Sequence, residues 1–298
     1  MSLRRLLPAF ALVAFLGGCQ PLPTRPIAAV PTESPAAAEP APLGADDRLN
    51  AVAWMQASIE YRLLAGQTWR SALIPLDRAI KTPAWDALPK EDRATLPPGL
   101  PLAVIVDIDD TVLNVTGGDV IDLERGQPFD RARWNAWAAK ASAPAIPGAL
   151  EFARAAAARG VTLYYVTNRV PELTAATLEN LRNLGFPVKD DSQLLTRGMH
   201  FDGCEEPGDS KACRRREVGK THRVLLLFGD SLGDFVAPAA NTAEGREQAV
   251  RPYLGWVGER WFALPNPAYG GWLRSLEGED GDASQEAKRQ HVRASLHE

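Results

Sequence analysis

A doubly wound α/β fold, with helices on both faces of a parallel sheet, is what this chain predicts, on three observations. Short apolar runs recur at 102–106, 161–166 and 224–228, helical signals separate the first two and follow the second, and each run breaks off into polar residues. Continuous apolar runs with β-branched residues read as strands buried on both faces, the signature of parallel sheets. Strands alternating with helices then give the doubly wound arrangement, whose ligands bind beyond the carboxyl ends of the strands.

The elements follow in order. Leu49, Val52, Ala53, Gln56, Ile59, Glu60 and Leu63 keep a mostly helical period, predicting one long helix from near Asp46 through about Thr68, with a second over Ser71 to Ile80. Leu102-Ala103-Val104-Ile105-Val106 is the first strand. Leu150 to Arg159 is an alanine-rich helix closed by Gly160, and Val161 to Val166 the second strand. Leu173 to Leu184 is a helix stopped by Gly185 and Pro187, and Val224 to Phe228 the third strand. After Leu276 the residues are charged and poor in large apolar side chains, so 278–298 reads as a mobile tail.

The 298-residue chain has ordinary composition, 45% hydrophobic and 23% charged, so most of it folds. A formal net charge of −4 excludes a general binder of nucleic-acid polymers but leaves room for small anions at a local cationic cluster. At the N-terminus, Arg4 and Arg5 precede an apolar run from Leu6 to Gly17, too short to span a bilayer and right for a signal peptide over 1–18. It ends in Leu16-Gly17-Gly18-Cys19, which resembles the bacterial lipobox and implies acylation of Cys19; Gln20 in place of Asp implies the outer membrane. Residues 19–45 are a Pro/Ala-rich tether, and the domain spans 46–277. A membrane lipoprotein with its domain facing the periplasm is the expected address.

The strand ends carry the chemistry. Asp107-Ile108-Asp109-Asp110-Thr111 places two carboxylates two residues apart, pointing the same way while the chain is extended. Phosphoryl transfer needs a nucleophile, a proton donor for the leaving oxygen and a cation for the phosphate oxygens. Asp107 can attack, and Asp109 can protonate the leaving oxygen and then activate water. A divalent ion would relieve their like-charge repulsion. Thr167-Asn168-Arg169 ends the second strand with a hydroxyl for a phosphate oxygen; Gly229-Asp230-Ser231-Leu232-Gly233-Asp234 ends the third, with Asp230 a metal ligand and Asp234 its partner one turn on.

Other motifs compete. Gly229 to Gly233 matches a nucleophile elbow and the opening block of GDSL esterases, which would make Ser231 the nucleophile, but no Asp-x-x-His follows. Gly219-Lys220-Thr221 lacks the earlier glycine of a phosphate-binding loop and precedes a strand instead of following one. An EF-hand would need other residues than Thr111 and Val112.

Asp107 to Leu113, Thr167 to Arg169 and Gly229 to Phe235 resemble motifs I, II and IV of the DDDD-type haloacid-dehalogenase phosphatases, whose domain is Rossmann-like with a small cap, here expected over about 114–147. Ala51-Val52-Ala53-Trp54-Met55-Gln56 and Leu264-Pro265-Asn266-Pro267-Ala268-Tyr269-Gly270 further resemble the class C acid phosphatases, the lipoprotein e(P4) family of nucleotidases. The resemblance runs from about Asn50 to Trp272. It implies Asp107 as nucleophile, Asp109 as acid and base, and Mg²⁺ held by the Asp107 carboxylate, the Asp109 main-chain oxygen and Asp230. It implies Thr167 on the phosphoryl group, with Asn168 and Arg169 beside it, and a motif-III lysine before a basic run. Ser210-Lys211-Ala212-Cys213-Arg214-Arg215 fits, giving Lys211, although Lys220 is near and a basic run is often a solvated face.

The family stacks a nucleobase between aromatic rings. Trp134 and Tyr269 stand where such rings are expected, but Trp134 and Trp137 are three apart and equally fit the core of a cap helix. Asn114-Val115-Thr116-Gly117 lacks the aromatic usual after motif I, which argues against tight nucleotide selectivity. Cys204 and Cys213 bracket a polar loop containing Lys211; a disulfide between them would hold that lysine, the alternative being two unrelated buried thiols. The sequence thus predicts a Mg²⁺-dependent phosphomonoesterase acting on small phosphomonoesters or nucleotides, with a Ser231 esterase and a non-catalytic binding lipoprotein as rivals.

Overall fold

The computed structural model describes residues 46–206, 209–278 and 283–297; the expected leader, Cys19 and the tether to residue 45 lie outside the described residues. Three helices open the domain, α1 (Leu49–Ala57), α2 (Ile59–Ser71) and α3 (Leu73–Lys81). There follow β1 (Leu102–Val106), α4 (Thr116–Leu123), α5 (Arg131–Ala138), α6 (Ala149–Ala158), β2 (Thr162–Val166), α7 (Thr174–Leu184) and β3 (Leu194–Leu195). The second half holds α8 (Ala212–Thr221), β4 (Arg223–Gly229), α9 (Ala243–Val250), β5 (Trp261–Ala263), α10 (Gly271–Arg274) and α11 (Gln285–Ala294). None of the described helices is long and apolar enough to cross a membrane.

The long first helix expected from the periodicity is two helices. Ser58 leaves the helical region at ψ 144°, and its hydroxyl accepts the Tyr61 N–H at 3.0 Å, an N-cap that restarts the chain as α2. Trp54 packs edge-on against Tyr61 across the break, ring centroids 5.4 Å apart. The stop at Gly185 is as the sequence predicts: the residue takes φ +83° after α7, a conformation open to glycine at little cost.

All pairings in the sheet are parallel, in the order β3-β2-β1-β4-β5. From β1 the chain runs outward through β2 and β3, then returns to the other side of β1 for β4 and β5. The switch point lies between β1 and β4, and a crevice opens there beyond the strand ends. Both faces of the sheet are filled. On one, Trp69 of α2 stacks on Phe228 at 4.2 Å and Phe152 of α6 lies 4.7 Å from the same ring. On the other, Trp261 packs with Tyr253 and Phe235. This two-sided burial is why β1 and β4 read as unbroken apolar runs.

Between β1 and α6 the chain makes an excursion through α4 and α5. Its neck is closed where the Asn114 N–H donates to the Pro144 carbonyl at 2.8 Å and the Ile146 N–H to the Val112 carbonyl at 2.9 Å. The two excursion helices approach closely because Gly117 and Gly118 face Trp137 and Trp134; a Cβ on Gly118 would lie 2.7 Å from the Trp134 ring.

The charged tail expected to lack structure carries α11. Ser284 caps it by accepting the Ala287 N–H at 3.2 Å, Glu286 lies in its first turn and His291 and Arg293 in its last, and Arg289 pairs with Asp47 at 2.6 Å. Capping and charges matched to the helix dipole hold this helix, with none of its residues buried, so hydrophobicity gave no sign of it.

Candidate active site

Three neighbouring strands deliver the site. Asp107, next after β1, is 5% exposed. One of its carboxylate oxygens meets the Lys211 ammonium, and the other accepts the Thr111 hydroxyl at 3.0 Å. Asp230, next after β4, accepts Asn266 Nδ2 at 2.7 Å. Asp234 takes the second contact of Lys211, at 2.6 Å, and accepts the Ser231 N–H at 2.9 Å. Lysine 211 sits just before α8 and is buried between these two carboxylates. Lys220 points elsewhere, its exposed ammonium 2.5 Å from Glu217.

Oxygens of Asp107, Asp230 and Asp234 all lie within 4.8 Å of one another. Burial raises the pKa of Asp107, and the Asp234 and Asp109 charges add to this against the pull of Lys211. Burial also raises Asp230 well above the usual carboxylate range, with the charges of Asp107 and Asp234 behind it. Burial weakens the Lys211 ammonium, but Asp107 and Asp234 outweigh it and its pKa rises. One ammonium among three close carboxylates leaves a negative excess of hard oxygen donors, the donor chemistry that a small divalent cation takes.

Asp109, two residues beyond Asp107, is held by Arg169, whose Nε and Nη2 donate to one carboxylate oxygen at 2.9 and 2.7 Å. The guanidinium is itself fixed by the Thr177 hydroxyl at 3.0 Å. Thr167, next after β2, is fully buried, and its hydroxyl accepts the Arg169 N–H at 3.2 Å; it is not among the residues that line the cavity. The other predicted side chains line one cavity of about 390 Å³: Asp107, Asp109, Trp134, Asn168, Arg169, Lys211, Asp230, Asp234 and Tyr269. That volume suits an organic leaving group as well as a phosphate.

Trp134 is both wall and packing residue. It lines the cavity, its ring faces Gly118 of α4, and the Arg169 guanidinium lies 5.5 Å from its centroid. The Tyr269 hydroxyl is tied back, donating to Asp110 at 2.8 Å. Ser231 lines the cavity but has no histidine partner among the described residues: His222 meets Thr221 and Tyr164, and His291 the Glu277 carbonyl. An esterase would need that partner to activate the hydroxyl.

Three residues escaped the sequence reading. Asp110, fully buried at φ +55°, accepts the Val115 N–H at 3.1 Å as well as Tyr269, and burial lifts its pKa to about 8. Asn266 orients Asp230; it stands in the Leu264–Gly270 motif, which named no role for it. Arg214 lies in the basic run that could have been a solvated face, yet it is 1% exposed. It reaches the Asn168 side chain at 2.7 Å and the Ser210 carbonyl at 3.0 Å, and pairs with Glu206 at 2.7 Å. With Asn168 Nδ2 donating to the Asp209 carbonyl at 3.2 Å, it clamps the Lys211 segment onto the end of β2. Cys204 and Cys213 are disulfide-bonded, Cα atoms 5.7 Å apart, closing the same segment at its other end.

A doubly wound sheet with a buried aspartate beyond its central strand, a lysine on that carboxylate and two further aspartates beyond the adjacent strand is the arrangement of a phosphoryl-transfer hydrolase. Residues 67–272 match the family model for the HAD superfamily, subfamily IIIB (acid phosphatase), and the chain belongs to that family. Among solved structures it is similar to the class C acid phosphatase from Bacillus anthracis, with a TM-score of 0.71, 28% identity, 84% of this chain covered and 97% of that one. A crystal structure of the B. anthracis class C acid phosphatase with tungstate bound matches to the same extent: TM-score 0.71, 28% identity, 84% of this chain and 97% of that one. This chain is therefore a phosphomonoester hydrolase of the acid phosphatase type.

Proposed function

We propose that the protein hydrolyses small phosphomonoesters, nucleoside 5′-monophosphates among them, through a phospho-aspartate on Asp107 with Mg²⁺ bound. The contact of Asp107 with Lys211 inside a ring of carboxylates carries this reading. Asp107 and Asp230, with the Asp109 main-chain oxygen, are the residues that would hold the ion, and Asp234 supports them through Lys211. Bound there, Mg²⁺ supplies charge neutralisation for the phosphate oxygens.

The chain's own residues do the rest. The Asp107 carboxylate attacks phosphorus while the bond to the leaving oxygen breaks, and Asp109 gives that oxygen its proton. Asp109 then takes a proton from water as the water attacks phosphorus, which releases phosphate and restores Asp107. Lys211 meets the charge that develops on the transferring group. Arg169 fixes the orientation of the Asp109 carboxylate. Thr167 acts through its hydrogen bond to the Arg169 backbone, which shapes the strand end. Trp134 and Tyr269 offer faces to a nucleobase. The tungstate bound in a similar phosphatase, a tetrahedral oxyanion, supports a phosphate-shaped site. By the sequence at its N-terminus, the protein works as a lipoprotein anchored through Cys19, in the periplasm.

The test is hydrolysis of p-nitrophenyl phosphate against p-nitrophenyl butyrate, each with and without EDTA. Phosphate release abolished by EDTA and restored by Mg²⁺ is expected. Butyrate turnover that survives in Asp107→Asn would return the site to Ser231, and no turnover of either ester would favour a binding protein.

A further inference from the structure

The basic run after Lys211 sends two consecutive arginines to opposite sides of the central strand. Both sit in the first half of α8, and each is 1% exposed. Arg214 reaches the end of β2, where its Nη2 donates to the Asn168 side chain at 2.7 Å. Arg215 reaches the loop beyond β4, where its Nη1 donates to the Gly233 carbonyl at 2.7 Å. Strands β2 and β4 flank β1, so the two arginines straddle the strand that carries Asp107. Lys211 lies one helical turn before Arg215, its carbonyl accepting the Arg215 N–H at 2.9 Å.

Gly233 adjoins Asp234, which takes the second contact of Lys211 at 2.6 Å. A Cβ on Gly233 would lie 2.7 Å from the Asp209 carbonyl, so the same loop touches the segment that leads into Lys211. Arg215 thus fixes the backbone from which Asp234 meets the ammonium.

The pair that holds Arg215 is a poor brace for the fold. Its Nε meets Asp92 at 2.6 Å, the two side chains 1% and 3% exposed. Burial raises the pKa of Asp92 in spite of the charges of Arg215 and Arg216. Arg215 Nη2 is buried with no hydrogen-bond partner. An ion pair taken out of water with a donor left unmade is costly, and apolar side chains of similar volume often replace such a pair without loss of stability. What the pair secures is the place of Gly233.

We propose that Arg215, oriented by Asp92, is a positioning residue that sets the Asp230–Asp234 loop, and through Asp234 the Lys211 ammonium, for phosphoryl transfer. This rests on the phosphomonoesterase assignment and, for its metal readout, on Mg²⁺ held by Asp107 and Asp230. The competing explanation is a brace that only ties α8 to the segment between α3 and β1.

Two variants separate them. Asp92→Leu with Arg215→Met fills the volume without charge, and Arg215→Lys keeps a cation beside Asp92 but loses the fork that spans Asp92 and Gly233. The measurements are the melting temperature, kcat and KM on p-nitrophenyl phosphate, and the calorimetric Mg²⁺ affinity of the metal-free protein, the last two well below the melting temperature. The double variant is expected to melt close to the parent. In both variants kcat and Mg²⁺ affinity are expected to fall about 10-fold or more, the scale of losing a partner that orients a metal ligand, while KM holds. A lowered melting temperature with kcat and Mg²⁺ affinity at parental values overturns the proposal in favour of the brace, and so does a loss carried wholly by KM. Should the double variant fail to fold, Arg215→Lys decides on the same readouts. A parent that binds no Mg²⁺ would sink the metal reading, and the split between kcat and KM would still decide on Arg215.

Discussion

Asp107 and Asp109 stand two residues apart but are held by different cations, Lys211 and Arg169, so their substitutions should separate. Asp107→Asn is expected to lower kcat on the order of 10⁴-fold or more on every phosphate ester, since an amide does not attack phosphorus. Asp109→Asn should cost about 10²–10⁴-fold on an alkyl phosphate and less on p-nitrophenyl phosphate, whose leaving oxygen needs little protonation. Equal losses on the two esters would remove Asp109 from the proton-donor role. These two residues were legible because their meaning is local: a strand, then two carboxylates in phase. Asp110 was hidden for the opposite reason. Its partner Tyr269 is 159 residues away, and only the folded chain brings that hydroxyl to it.

At the scale of the element, the pair α4 and α5 forms one wall of the cavity, and it depends on Gly118 leaving room for Trp134. Gly118→Ala should push the indole aside, lowering stability by about 1–3 kcal/mol through overpacking and raising KM for nucleotides more than for p-nitrophenyl phosphate. If KM for both substrates moved together, the Trp134 face would not be a base platform. The long strands β1 and β4 announced themselves through composition, whereas β3 and β5, at two and three residues, are too short to show a period. The break at Ser58 was written as a serine before an apolar residue, but a continuing 3.6-residue pattern on both sides masked it. The tail helix α11 had its cap and dipole charges in view and was passed over because it buries nothing.

For the molecule as a whole, pH acts through a carboxylate on the α4 side of the same cavity. Burial raises Asp119 on α4 to about 6 against the pull of Arg48, with Asp122 and Asp46 adding to the rise. The unfolded chain loses this proton near 3.9, so between about pH 4 and 6 the folded form holds a proton that the unfolded form has released. Stability from this group is full below about pH 4 and lost as pH rises through 6, about 2–3 kcal/mol as an upper figure. Thermal melts should therefore show Asp119→Asn gaining several degrees relative to the parent between pH 4 and pH 7, and parallel curves would refute this. The disulfide acts on a different axis, that of local opening. Asp107 and Asp230 ride on strands buried on both faces, but Lys211 rides on a polar loop closed by the Cys204–Cys213 bond. Amide hydrogen exchange should accordingly be slowest over Val104–Asp107 and Leu225–Gly229 and faster over the loop. Reduction should quicken exchange through Lys211 and the first turn of α8 while the two strands keep their protection. The site would then open on its lysine side with its aspartates still in place, a partial unfolding that silences turnover far below the melting temperature.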